Sequence, residues 1–92
     1  MIKHIVFFKL KDAKNAPELK QKLLALAPEI DFAQIEVGID FSAEDRACDV
    51  ALVVSIGSRQ DLKNYATHPK QVEFLSYAKP LCEYTKVVDY EL

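Results

Sequence analysis

An α+β domain with four strands and two helical segments is predicted here from three observations. Runs of period-two apolar alternation and runs of three- and four-residue apolar spacing follow one another as strand, helix, strand, strand, helix, strand. Helix-start chemistry stands where the period switches, at Asn15-Ala16-Pro17-Glu18 and Ser58-Arg59-Gln60-Asp61. Ninety-two residues, half of them hydrophobic and 28% charged, suffice for one domain, residues 1–92, with a core needing no disulfide or metal staple.

Met1 to Lys11 reads as the first strand. Its even positions Ile2, His4, Val6, Phe8 and Leu10 make an apolar face holding one histidine, while Ile5 and Phe7 make the centre of the other face apolar too. Asn15 is placed to cap the first helix, whose stripe is Leu19, Leu23, Leu26 and Ala27, and Pro28 to end it. Gln34 to Ser42 alternates strictly, with Ile35, Val37, Ile39 and Phe41 on one side. A polar hairpin loop, Ser42-Ala43-Glu44-Asp45-Arg46, leads to a third strand from Cys48 to Ile56. There Val50, Leu52, Val54 and Ile56 oppose Ala51 and Val53.

Ser58 to Asp61 forms a capping box with aspartate in the glutamate position, and Leu62, Tyr65 and Ala66 share a face of the helix that follows. Pro69 interrupts that helix. A proline disfavours the α conformation in the residue before it and is at home in the first turn of a helix, so His68 is expected to be extended and to cap a new helix. Gln71, three residues on, is expected to reach back to a free backbone N–H. Val72, Leu75, Ala78 and Lys79 continue the period to Pro80. Lys86 to Leu92 is the last strand, and the adjacent Val87 and Val88 leave its buried face open.

This order is the split βαβ, ferredoxin-like pattern. The first and third strands are expected to be central and parallel, the second and fourth at the edges, with both helices on one face. Cys48 and Cys82 then lie two strands apart, beyond the reach of a disulfide, and neither has a partner at metal-ligand spacing. Two buried thiols are expected.

Composition narrows the function. A net charge of −2 argues against nucleic acid, which calls for a basic stripe; Lys3, Lys9, Lys11 and Lys14 read as a solvated rim. No apolar run reaches the roughly 18–20 residues of a membrane span, and no signal-peptide pattern opens the chain, so a cytoplasmic location is expected. Gly-rich phosphate loops, a Ser-His-Asp order and recognisable paired carboxylates are absent from the sequence.

With Lys3-His4-Ile5-Val6 at the start, Tyr65-x-x-His68-Pro69 in the broken helix and Val87-Val88-Asp89-Tyr90 at the end, the chain resembles the stress-responsive dimeric α/β-barrel (Dabb) family along nearly its whole length. The resemblance implies two ferredoxin-like protomers whose sheets pack into one barrel. It places a small-molecule pocket between each sheet and its own helices. It also implies chemistry without metal or cofactor, as in the plant polyketide cyclase that makes olivetolic acid by aldol cyclisation. His4 matches that enzyme's first-strand pocket histidine, Tyr65 its substrate-binding tyrosine and His68 the histidine before proline. The cyclase's catalytic base is a histidine where this chain has Gln71, an amide that does not titrate near neutral pH.

Each candidate also has a plainer reading. His4 reads first as a core histidine satisfied by one hydrogen bond, and otherwise as a base whose ordinary titration range suits proton transfer. Tyr65 is read equally as pocket lining and as packing, and His68 as the elbow's cap. Two functions follow. One is a non-catalytic homodimer that binds a small apolar or aromatic molecule through His4, Tyr65, His68 and Gln71. The other is a cofactor-independent enzyme using His4 and Tyr65 as catalytic residues. Homodimerisation is expected through Ile5, Phe7 and Val53, because two helices on one face cannot cover both sides of the sheet.

Overall fold

Residues 1–92 are described by a computed structural model. The chain runs through β1 (Ile2–Leu10), a 3-10 turn (Ala13–Asn15), α1 (Ala16–Leu24), β2 (Ala33–Ile39), β3 (Val50–Ile56), α2 (Arg59–Thr67), α3 (Pro69–Ala78), a second 3-10 turn (Lys79–Leu81) and β4 (Cys82–Glu91). The strands form one sheet in the order β2-β3-β1-β4, with the expected pair in the centre and the expected pair at the edges.

The expected parallel pairing of β1 with β3 is wrong. They pair antiparallel, from Ile2 opposite Ile56 to Phe8 opposite Val50, as does every other neighbouring pair. The physical reason lies in the connections. A helical crossover carries the chain from β1 back to begin β2 in the same direction. A hairpin then reverses it, so β3 runs against both strands and sits between them.

Other expectations shift locally. Asn15 makes no side-chain cap; Asp12 instead accepts the Lys14 N–H and caps the 3-10 turn that leads into α1. The helix ends at Leu24, before Pro28, and turns carry Leu26 and Ile30 into the core. The second strand stops at Ile39, leaving Phe41 98% exposed in the loop rather than on the sheet. The last strand begins four residues early, at Cys82. Ser58 accepts the Asp61 N–H as half of the expected box, and the shorter aspartate side chain makes no return bond. Both cysteines are free thiols and partly rather than fully buried.

The core lies between the sheet and the helices. Val50, Leu52, Val54 and Ile56 of β3 meet Leu19 and Leu23 of α1, Tyr65 of α2 and Phe74 of α3 in one buried cluster. Even-numbered residues of β1 share that face, with Ile2, Phe8 and Leu10 buried. Register settles the face of β4: Val87 stands opposite Val6 on the helix side, and Val88 stands opposite Ile5 on the open side. The open face carries Ile5, Phe7, Val53, Val88 and Tyr90, with Lys3 donating to Ser55 Oγ at 2.6 Å between them. Phe7, Val88 and Tyr90 are 41–48% exposed there.

Candidate functional site

The elbow at Pro69 builds the site. His68 is extended (φ −60°, ψ 134°), ends α2 and starts α3, and its ring Nδ1 accepts the Lys70 N–H at 3.1 Å. On an unbroken helix, Tyr65 and Gln71 would point about 120° apart around the axis, since each residue advances about 100°. The break turns both toward the sheet, and both are buried, at 1% and 6% exposure. Gln71 therefore does not reach back to the backbone as expected. The His68 N–H that it was expected to satisfy is bonded to the Tyr65 carbonyl oxygen instead.

Between α2, α3 and strands β1 and β4 lies a cavity of about 440 Å³. Val6, Phe8, Leu62 and Leu75 give it apolar walls, and His4, Tyr65, Gln71 and Asp89 give it polar groups. The size falls within the range of small-molecule sites. A neighbouring cavity of about 490 Å³ shares Phe8, Leu75 and Thr85 with it and continues toward Cys82 and Tyr84. The exposed β4 edge leaves the trough open to solvent along one side.

His4 lies edge-on to Tyr65, with ring centroids 5.8 Å apart. Its Nδ1 bonds the carboxylate of Asp89, its directly opposite residue on β4. The Tyr65 hydroxyl and the Gln71 Oε1 are buried and find no hydrogen-bond partner within the protein. Burial pushes the Tyr65 phenol up to about 12, so at neutral pH it keeps its proton and is a hydrogen-bond donor. Lys63 and Thr85 also line the cavity.

Of the residues singled out from sequence, His4, Tyr65 and Gln71 come together at this cavity, while His68 is not among its lining residues and spends its ring nitrogen on the elbow. Asp89 was missed. Its signal was present in the alternation of the last strand, but only the pairing of β1 with β4 shows that it stands opposite His4. Three or more His, Cys, Asp or Glu side chains at metal-ligand spacing occur nowhere in the chain, and no helix is long and apolar enough to cross a membrane.

Solved structures share this architecture. A dimeric protein of unknown function with a ferredoxin-like fold from Bacteroides fragilis is 31% identical, covering 99% of this chain and 95% of its own, with a TM-score of 0.86. A hydroxynitrile lyase from Passiflora edulis is 25% identical over 99% of this chain and 92% of its own, with a TM-score of 0.84. A dimeric ferredoxin-like protein of unknown function from Thermobifida fusca is 20% identical, covers 99% and 90%, and has a TM-score of 0.78. No curated protein matches the chain. The sequence profile of the stress responsive A/B barrel domain matches residues 2–92, and with that span and this fold the chain belongs to the stress responsive A/B barrel domain family.

Proposed function

We propose that the protein is a homodimer that binds a small apolar or aromatic molecule in the cavity between its sheet and α2–α3. The observation that carries this reading is the pair of orphaned polar atoms on the cavity wall, Tyr65 Oη and Gln71 Oε1. A buried polar group without a partner costs about 1–3 kcal/mol. A ligand with one acceptor for the phenol and one donor for the amide would recover that cost, and the apolar walls would hold its hydrocarbon part. In this reading the protein acts in the cytoplasm as a stress-associated binder, a role supported by its family.

The homodimer rests on the open face of the sheet. Ile5, Phe7, Val53 and Val88 make an apolar patch there, and packing it against the same patch of a second copy removes it from water around a twofold axis. The relatives from Bacteroides fragilis and Thermobifida fusca are dimeric, which supports a homodimer.

Native mass spectrometry of the protein as purified, followed by solvent extraction, tests the binding reading. A bound small molecule, or titration of wild type by an apolar carbonyl or phenol probe that weakens about tenfold in Tyr65→Phe, is the expected result. A protein that takes up no probe, with a filled cavity in a crystal structure, overturns it.

A second reading, an enzyme without cofactor that moves a proton through His4 and Tyr65, is favoured by the imidazole–carboxylate pair of His4 and Asp89. The hydroxynitrile lyase relative supports it, as an enzyme of this fold. Turnover that disappears in His4→Ala would establish it; binding without turnover over a panel of carbonyl and phenol compounds would exclude it in favour of the first.

A further inference from the structure

The two histidines of this chain use the same ring nitrogen in opposite senses. His68 Nδ1 accepts the Lys70 N–H, so that ring carries its proton on Nε2. His4 Nδ1 faces the carboxylate of Asp89, an acceptor, so that ring carries its proton on Nδ1 and keeps an unshared pair on Nε2. No protein group bonds His4 Nε2, and the ring lies on the cavity wall against Tyr65. The placement does not depend on side-chain rotamer alone. His4 and Asp89 are direct partners in the antiparallel ladder, and a one-residue slip would replace Asp89 with Val88 or Tyr90 and send the carboxylate to the open face.

The other polar groups at the cavity limit what can move a proton there. Gln71 is an amide and Thr85 a neutral hydroxyl, neither of which takes a proton near neutral pH. Tyr65 has its hydroxyl unpartnered. The site thus offers the neutral imidazole of His4 beside two unpartnered polar atoms, the Tyr65 hydroxyl and the Gln71 carbonyl oxygen. That set complements a ligand with a weakly acidic O–H, whose oxygen becomes a stronger hydrogen-bond acceptor when the proton leaves.

We propose that Asp89 is the positioning residue of a one-base site: it holds His4 with Nε2 free to take the proton of a phenol or enol whose oxygen is held by the Tyr65 hydroxyl. The proposal rests on the ligand-binding reading above. In the step, the ligand O–H bond breaks and its electron pair stays on oxygen as phenolate or enolate. The proton forms the Nε2–H bond. The resulting imidazolium lies between the Asp89 carboxylate and the ligand anion, and the Tyr65 O–H donates to the anion. The proton returns to the ligand when it leaves, so nothing is consumed.

Two measurements on the full chain test this. Nitrogen-15 spectra of the histidines in their neutral form should show one Nδ1–H ring and one Nε2–H ring, with His4→Phe removing the former. Asp89→Ala should shift the His4 signal toward Nε2–H and leave His68 unchanged. An Nε2–H tautomer for His4 in the wild type overturns the proposal.

The second measurement uses 4-nitrophenol, whose phenolate form is coloured, and 4-nitroanisole, which has no acidic proton. The wild type should bind nitrophenol with a phenolate fraction raised about tenfold over Asp89→Ala and His4→Phe at the same pH, and should also bind nitroanisole, whose uptake by the wild type shows that the cavity takes the ring without proton transfer. Nitroanisole binding with an unshifted nitrophenol spectrum overturns the proton-transfer role and leaves the cavity reading standing. Failure of both compounds to bind overturns the proposal together with the cavity reading.

Discussion

The rings of His4 and Tyr65 meet edge-on at 5.8 Å with their planes 61° apart, one near the start of β1 and the other in the last turn of α2. The contact joins the sheet to the elbow and leaves the phenol hydroxyl aimed at no protein acceptor. Tyr65→Phe keeps the ring contact and removes the orphaned group. Stability in urea should stay level or rise by about 1 kcal/mol, while affinity for a carbonyl-bearing probe falls about tenfold. A loss of several kcal/mol would show that the hydroxyl has a structural partner.

The same phenol makes an alkaline prediction. Burial raises Tyr65 from 10.0 to about 12, so the folded state holds its proton more tightly than the unfolded chain. The associated stability is complete below pH 10 and is lost as the pH rises toward 12. Two tenfold steps in proton affinity correspond to about 3 kcal/mol. Urea unfolding of the wild type should weaken across this window by that order. Tyr65→Phe should weaken less, and equal slopes for the two proteins would refute the assignment.

Pro69→Ala tests the elbow. Restoring the N–H and freeing φ allows α2 and α3 to merge, which swings Gln71 away from the direction of Tyr65. Melting should fall only slightly, by about 0.4–1 kcal/mol from the looser unfolded chain, because the sheet is untouched. Probe binding should fall by tenfold or more, and carbon chemical shifts at residue 68 should turn helical. An extended His68 with unchanged binding would mean that the Nδ1 cap on Lys70, rather than the proline, holds the break.

Phe7→Glu places a carboxylate at the centre of the open sheet face. Removing an ionised group from water without a partner is strongly unfavourable, so the variant should lose the dimer and become a poorly soluble or weakly cooperative monomer. Sedimentation at micromolar concentration should find the wild type dimeric. A wild type that sediments as a stable monomer, with Phe7→Glu equally soluble and cooperative, would exclude the interface.

Gln71→His installs a second titratable group on the cavity wall, at the position of the base in the resembling cyclase. An aldol cyclisation needs a proton taken at one atom and delivered at another, and general acid–base catalysis is typically worth about 10²–10⁴ in rate. The wild type should leave linear polyketide thioesters unchanged, and the variant should cyclise them slowly. Wild-type turnover that His4→Ala abolishes would show that one base is sufficient.

Features set by short stretches of chain were legible in the sequence. Period-two and period-three-to-four spacing gave the order of elements, and the covalent constraint of Pro69 gave the elbow and the cap at His68. Apolar centres on both faces of β1 marked the open sheet face, because adjacent strand residues point to opposite sides wherever the strand pairs. Pairing and docking decided the rest. The direction of β3 against β1 follows from connections around α1 and a hairpin, and the sides taken by Val87 and Val88 follow from the register of β4. Gln71 turned from capping to the cavity because the break at His68 aims it at the sheet, where it is buried. His4 and Asp89, at opposite ends of the chain, became partners only through the β1–β4 ladder, since a hydrogen bond needs groups brought within about 3 Å and only tertiary structure closes that distance.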